Sequence, residues 1–128
     1  MIFGIGTDLV QVSRIAATYE RFGERFARHL LMDCERELFE KSKNPLRFLA
    51  MRFAAKEALV KALGTGFANG MWIRDVGYIP DAKGRPQVRF SDRGARLCKT
   101  LGAGPAQVSL TDETGLIVAF AVIENAVS

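Results

Sequence analysis

The sequence predicts an α+β fold in which a mostly antiparallel sheet wraps around one long buried helix. Three observations carry that expectation. Residues 44–64 read as a helix that is apolar around most of its circumference, so it must be covered on more than one side. The chain opens on an apolar run, Ile2 to Thr7, with β-branched residues and glycines that suit a strand approached closely by another backbone. Beyond Gly66 the texture changes to short strand-like runs separated by turn residues. At 128 residues, the chain fits one core and a single domain over residues 1–128.

The elements follow in order. Ile2 to Thr7 forms the first strand. Ser13 is placed to cap a helix from Arg14 to Phe22, Gly23 interrupts it, and a second helical stretch runs to Leu31. Asp33 is placed to cap a third helix, with Glu35 and Glu37 in the first turn, where carboxylates suit the helix dipole. Asn44-Pro45 combines an N-cap residue with proline at the first helical position, and the long helix runs from there to Leu63, stopped by Gly64. Val76 to Ile79 and Pro86 to Phe90 flank Pro80-Asp81-Ala82-Lys83-Gly84-Arg85 as a hairpin. Ser91 caps a helix from Asp92 to Leu101, ended by Gly102. Ala106 to Thr111 and Leu116 to Glu124 form the last pair of strands. Trp72 reads as packing.

Composition removes several classes. No apolar run approaches the roughly 20 residues that span a bilayer, and the first residues lack the basic stretch of a signal peptide. Cys34 and Cys98 match no metal spacing and read as reduced thiols of a cytoplasmic protein. His29 is the only histidine and no nucleophile motif surrounds it, which leaves no Ser-His-Asp or Cys-His set. The net charge of +4 points to an acidic partner. Its distribution says more: Lys41, Lys43, Arg47, Arg52, Lys56 and Lys61 face the single acid Glu57 within 41–61, and a second basic region runs from Lys83 to Lys99.

The chemistry-bearing residues fall in two places. Asp8 closes the first apolar run. Glu57 and Lys61 lie one turn apart on the long helix, with Arg52 and Lys56 as a neighbouring stripe and Gly64-Thr65-Gly66 directly after. On its own, the Glu57–Lys61 spacing describes an ion pair worth about 0.3–0.5 kcal/mol. Yet charges on a mostly apolar helix must be paired, metal-bound or turned to a wet cleft. Magnesium takes one or two protein carboxylates and fills its shell with water and substrate phosphates. Asp8 and Glu57 meet that need if strand and helix are neighbours. Lysines and the amides of a glycine turn would hold phosphates. A second pattern, Arg14, Arg21, Arg25 and Arg28 with Phe22 and Phe26, shares a narrow sector if one helix continues through Gly23. It reads as a solvated arginine face or as a dock for an acidic helix.

Gly4-Ile5-Gly6-Thr7-Asp8-Leu9-Val10 with Arg14-Ile15, and Arg52-Phe53-Ala54-Ala55-Lys56-Glu57-Ala58 with Lys61-Ala62-Leu63-Gly64-Thr65-Gly66, resemble the holo-[acyl-carrier-protein] synthases, the small 4′-phosphopantetheinyl transferases. The resemblance covers essentially the whole chain. It implies transfer of 4′-phosphopantetheine from coenzyme A to a serine of apo acyl carrier protein, releasing adenosine 3′,5′-bisphosphate. It implies Mg²⁺ on Asp8 and Glu57, phosphate contact by Lys61, and a pyrophosphate site lined by Gly64, Thr65 and Gly66. Arg52 is a candidate stacking partner for adenine and Lys56 a second phosphate contact. The resemblance also implies carrier docking on the helix from Arg14 onward, and a homotrimer with active sites between subunits. One departure stands out: some members carry a histidine in the segment matching 109–112, where this chain has Ser-Leu-Thr-Asp. Two rivals keep a place. A basic nucleic-acid-binding module would use the same patches but leaves Asp8 and Glu57 unexplained. A transferase serving modular synthases belongs to a class that usually doubles this fold in a longer chain.

Overall fold

The structure, a computed structural model, describes residues 1–127 and builds eleven elements on one core. They are β1 (Ile2–Gln11), α1 (Val12–Phe22), α2 (Glu24–Leu30), α3 (Asp33–Glu40), α4 (Pro45–Leu63), a 3-10 turn (Ile73–Asp75), β2 (Val76–Pro80), β3 (Pro86–Phe90), α5 (Asp92–Leu101), β4 (Ala103–Glu113) and β5 (Leu116–Asn125). The expected class holds, with one refinement. The strands form two antiparallel sheets, a three-stranded one in the order β1-β5-β4 and the hairpin β2-β3. The larger sheet packs on α4 chiefly through β1 and β5, and β2 also packs on that helix.

α4 is long and mostly buried, as its composition demands. Asn44 accepts a hydrogen bond from the Arg47 amide at 3.3 Å, Pro45 occupies the first position, and Gly64 ends the helix in a left-handed conformation at φ 79°. Ala54, Ala55, Ala58, Leu59 and Ala62 are buried along it, with Ile117, Ala119, Ala121 and Ile123 of β5 in the same core. α5 also follows its local signals: Ser91 accepts from the Gly94 amide and Gly102 closes the helix.

Other boundaries move. β1 runs on to Gln11, and α1 starts at Val12 with no side-chain cap, so Ser13 lies inside the helix. Met32, not Asp33, occupies the N-cap of α3, and the Glu35 carboxylate accepts the Met32 amide at 3.0 Å. Gly23 takes φ 58° and ψ −139°, which splits the arginine-bearing segment into two helices. β4 begins at Ala103, three residues earlier than its apolar run.

Candidate functional site

Asp8 lies within β1 rather than after it, where the strand crosses the end of α4. Successive strand residues alternate faces, so Gly4, Gly6, Asp8 and Val10 look toward α4 while Ile5, Thr7 and Leu9 look away. Missing side chains bring the helix close. A Cβ on Gly4 would lie 2.0 Å from the Ala62 carbonyl oxygen, and one on Gly6 would lie 2.1 Å from that of Ala58. At this spacing Lys61 reaches the strand: its Nζ sits 3.2 Å from Asp8 Oδ1 and donates to the Thr7 carbonyl at 3.0 Å.

Glu57 precedes Lys61 by one turn and is half-buried. Burial, and then the nearby Asp8 charge, hold its carboxyl above the usual carboxylate range, while Lys61 opposes the shift. The structure therefore brings Asp8, Glu57 and Lys61 together. Among the described residues Lys61 pairs with Asp8, and no Glu57–Lys61 bridge forms. The raised value has a consequence. A carboxyl raised in the folded state favours folding below its ordinary pKa, and that contribution is lost as pH rises through the raised value. In melts without added metal, Glu57→Gln is expected to remove this alkaline-side loss, leaving stability flatter just above the carboxylate range.

Magnesium chemistry fits these residues. Two carboxylates whose charges are close enough for one to raise the other's pKa suit a hard divalent cation, and the ammonium of Lys61 already shares Asp8. Among the described residues no group of three or more His, Cys, Asp or Glu is placed to hold an ion. The rest of the shell would come from water and substrate.

Lys56 is not part of this cluster. Its ammonium is fully buried on another side of α4, 2.8 Å from Glu35 Oε1, and it also donates to the carbonyls of Ile73 and Val76. With all three donors engaged inside the protein it has none for a phosphate. Burial pulls its pKa below the usual lysine value, and Glu35 works against that. Arg52 is also buried. Its Nε lies 3.2 Å from Glu35 Oε2 and donates to the Tyr78 carbonyl at 3.3 Å. Its guanidinium stacks between Phe48 and Tyr78, 4.0 and 3.8 Å from the ring centroids. The expectation placed Arg52 against adenine; in the structure its guanidinium is covered by the protein's own Phe48 and Tyr78. The shared partner, Glu35, is the residue that sequence reasoning missed. The one available signal was indirect: two cations on an apolar helix need a buried counter-charge.

The Gly64-Thr65-Gly66 turn also differs from its expected role. The amides of Thr65 and Gly66 both donate to the Val60 carbonyl, at 3.2 and 3.3 Å, and Gly64 donates to Lys61. They close the helix end rather than pointing at a ligand. Thr65 is buried with its hydroxyl on the Gly66 carbonyl at 2.8 Å. In the 109–112 segment, Asp112 takes two hydrogen bonds from Arg47, at 2.7 and 3.1 Å, which holds its carboxyl below the usual range.

The break at Gly23 divides the expected arginine face: Arg25 and Arg28 share a cavity with Phe22 and Phe26, while Arg14 and Arg21 lie outside its lining. Thr18 and Phe22 of α1 and Arg25, Phe26, Arg28 and His29 of α2 line one open cavity of about 380 Å³. Arg21 stacks on Phe22 at 5.1 Å, and Arg14 lies on the exposed surface of the first turn of α1. Trp72 is a correction: its ring is 60% exposed and covered on one face by Arg93 at 3.8 Å, not packed in the core.

The likenesses to known proteins run along nearly the whole chain. Residues 4–121 match the 4′-phosphopantetheinyl transferase superfamily. The holo-[acyl-carrier-protein] synthase of Azoarcus sp. (strain BH72) is 50% identical over 125 residues, covering 98% of this chain and 99% of that protein. The crystal structure of the Neisseria meningitidis holo-[acyl-carrier-protein] synthase superposes with a TM-score of 0.94 at 37% identity, over 98% of this chain and all of that one. The Helicobacter pylori holo-[acyl-carrier-protein] synthase, crystallised in complex with coenzyme A, superposes at 0.82 with 27% identity over 94% of this chain and 99% of that one. With the strand carboxylate, the helix carboxylate and the bridging lysine assembled on the same fold, the chain belongs to the 4′-phosphopantetheinyl transferase superfamily, among its holo-[acyl-carrier-protein] synthases.

Proposed function

We propose that this chain transfers 4′-phosphopantetheine from coenzyme A to a serine hydroxyl of apo acyl carrier protein and releases adenosine 3′,5′-bisphosphate. The observation that carries the reading is the meeting of Asp8, Glu57 and Lys61 across the tight β1–α4 contact. Asp8 and Glu57 would hold Mg²⁺, which when bound neutralises charge on the pyrophosphate of coenzyme A. Lys61 sits on Asp8 and is more than half exposed, so its ammonium can turn from the strand to a phosphate oxygen and stabilise the leaving group. The serine oxygen forms the new bond to phosphorus, the bond to the adenosine bisphosphate oxygen breaks, and the serine proton passes to solvent. Arg52 is buried with both faces of its guanidinium covered by Phe48 and Tyr78, so the adenine end of the donor would be held by other groups.

The α1–α2 cavity, with arginines at its rim and Phe22 and Phe26 in its wall, would dock the acidic carrier. Arg14→Glu with Arg21→Glu is expected to raise KM for the carrier at least tenfold at low salt and to leave KM for coenzyme A within about twofold. Steady-state kinetics with each substrate varied in turn checks this, and an unchanged carrier KM would remove the docking face.

The outer face of the larger sheet supports self-association, and the resemblance makes that a homotrimer. Ile5 and Leu9 of β1 and Val118 and Phe120 of β5 are exposed, and Leu9 pairs with Val118 in register. An apolar face of this kind marks an association surface. Free Cys34 and Cys98 fit a reducing, cytoplasmic setting, and among the described residues no helix is long and apolar enough to cross a membrane. Holo carrier and adenosine 3′,5′-bisphosphate appearing in equal amounts on chromatography, with a requirement for Mg²⁺ in fatty-acid carrier modification, tests the whole reading.

A further inference from the structure

The contact that builds the site is a smooth one. Gly4 and Gly6 of β1 lie against Ala58 and Ala62 of α4, and Ala119 and Ala121 of β5 share the core with Ala54 and Ala55. Small residues allow close approach there, and the larger Leu59, Ile117 and Ile123 pack in the same core, so a polar clamp would add direction to what packing already sets. Glu57 and Lys61 need that direction, because each residue along the helix changes direction by about 100°. Elsewhere on α4 a polar clamp is present. Glu35 of α3 is fully buried and accepts from Lys56 Nζ at 2.8 Å, Met32 N at 3.0 Å and Tyr78 N at 3.2 Å, with Arg52 Nε at 3.2 Å. Lys56 in turn donates to the Ile73 and Val76 carbonyls. β2 is pressed onto the same carboxylate: a Cβ on Gly77 would lie 2.5 Å from it. Three elements thus converge on one group that touches two consecutive turns of α4. A buried ion pair is a weak source of net stability against an apolar replacement.

We propose that Glu35 is a positioning residue for the transfer reaction: by holding Lys56 and Arg52 it fixes the rotation and register of α4, and so aims Glu57, the residue after Lys56, at Asp8. The inference rests on the functional reading above. It separates directional fixing from mere stability, and the double variant Glu35→Gln/Lys56→Met does the same. That variant removes two of the three buried charges and leaves Arg52 facing a neutral amide, so its melting temperature is expected to fall, and the other readouts are taken where it is folded. Glu35→Asp is the second variant, keeping the charge but withdrawing it by one methylene.

Three readouts apply: the thermal melt, the affinity for Mn²⁺ measured by the resonance of the free ion, and transfer kinetics. The expected result is a cooperative melt in at least one variant, Mn²⁺ affinity weakened about tenfold or more, a lowered kcat, and a coenzyme A KM within about twofold of the wild type. A folded variant that matches the wild type in both Mn²⁺ affinity and kcat overturns the proposal. So does loss of folding in both variants, which would make Glu35 a stability element only. A wild-type protein that binds Mn²⁺ but transfers nothing would defeat the functional reading, while the difference in ion affinity would still decide the role of Glu35. A wild-type protein that binds no Mn²⁺ would defeat both.

Discussion

Glu57→Gln is expected to lower turnover by about 10²–10³-fold while the protein melts as cooperatively as before. The reasoning is electrostatic. Glu57 lies half-buried beside Asp8, and both features already press it toward its neutral form. In the resting protein the charge is a burden, so an uncharged isostere costs the fold little. In the reaction the same charge is needed, since two carboxylates are what a magnesium ion would take from this protein. Stability and activity should therefore move apart: the melting temperature stays or rises slightly, while kcat falls and the requirement for metal grows. A thermal melt alongside metal-titrated kinetics checks both halves. Turnover near the wild-type level would remove Glu57 from the metal site.

Gly6→Ala should have the largest effect on the fold itself. The new Cβ would lie 2.1 Å from the Ala58 carbonyl oxygen, 2.7 Å from the Ala62 amide nitrogen and 2.9 Å from Lys61 Cβ. Two of these are backbone atoms of a buried helix and cannot swing aside. Either α4 retreats or β1 bows away, and each opens the core along the Ala58–Ala62 face. A cost of at least about 3 kcal/mol is expected, which for a chain of this size lowers the melting temperature by roughly 10 °C or more. Any molecules that still fold would have Lys61 withdrawn from Asp8, so residual activity should fall further than the folded fraction. Calorimetry together with activity per folded molecule measures both. A melt within a degree or two of the wild type would mean that the close approach is not needed.

Local signals made much of the architecture legible. Asn44-Pro45 and Gly64 bracket α4, and Ser91 and Gly102 bracket α5, where sequence reasoning places them, because each end is satisfied by its own flanking residues. Two hairpin connections also follow from their turn residues. The misses have a shared cause: a distant partner decided them. β1 continues through Asp8 to Gln11 because β5, far along the chain, pairs with it residue by residue to Leu116, and Lys61 then meets the Asp8 carboxylate. Glu35 looks like a first-turn carboxylate until Lys56 and Arg52 arrive from α4. A helical wheel places Lys56 and Glu57 about 100° apart but does not say which of them faces the core. The glycine turn misled in another way: its flexibility suggested a phosphate cradle, whereas its amides fold back on the Val60 carbonyl. Asp8, Glu57 and Lys61 were legible as a set, because residue chemistry and helical spacing agreed, and the fold then joined them.

The most direct test is intact-mass spectrometry of apo acyl carrier protein incubated with this protein, coenzyme A and Mg²⁺, beside a chelated control and the Glu57→Gln variant. The account predicts that the carrier gains the mass of one phosphopantetheine group on its serine in the complete reaction, and that the gain is lost on chelation and nearly lost in the variant. A folded wild-type protein that leaves a competent apo carrier unmodified would contradict the proposed function, and modification that persists at full rate under chelation would contradict the role given to Asp8 and Glu57.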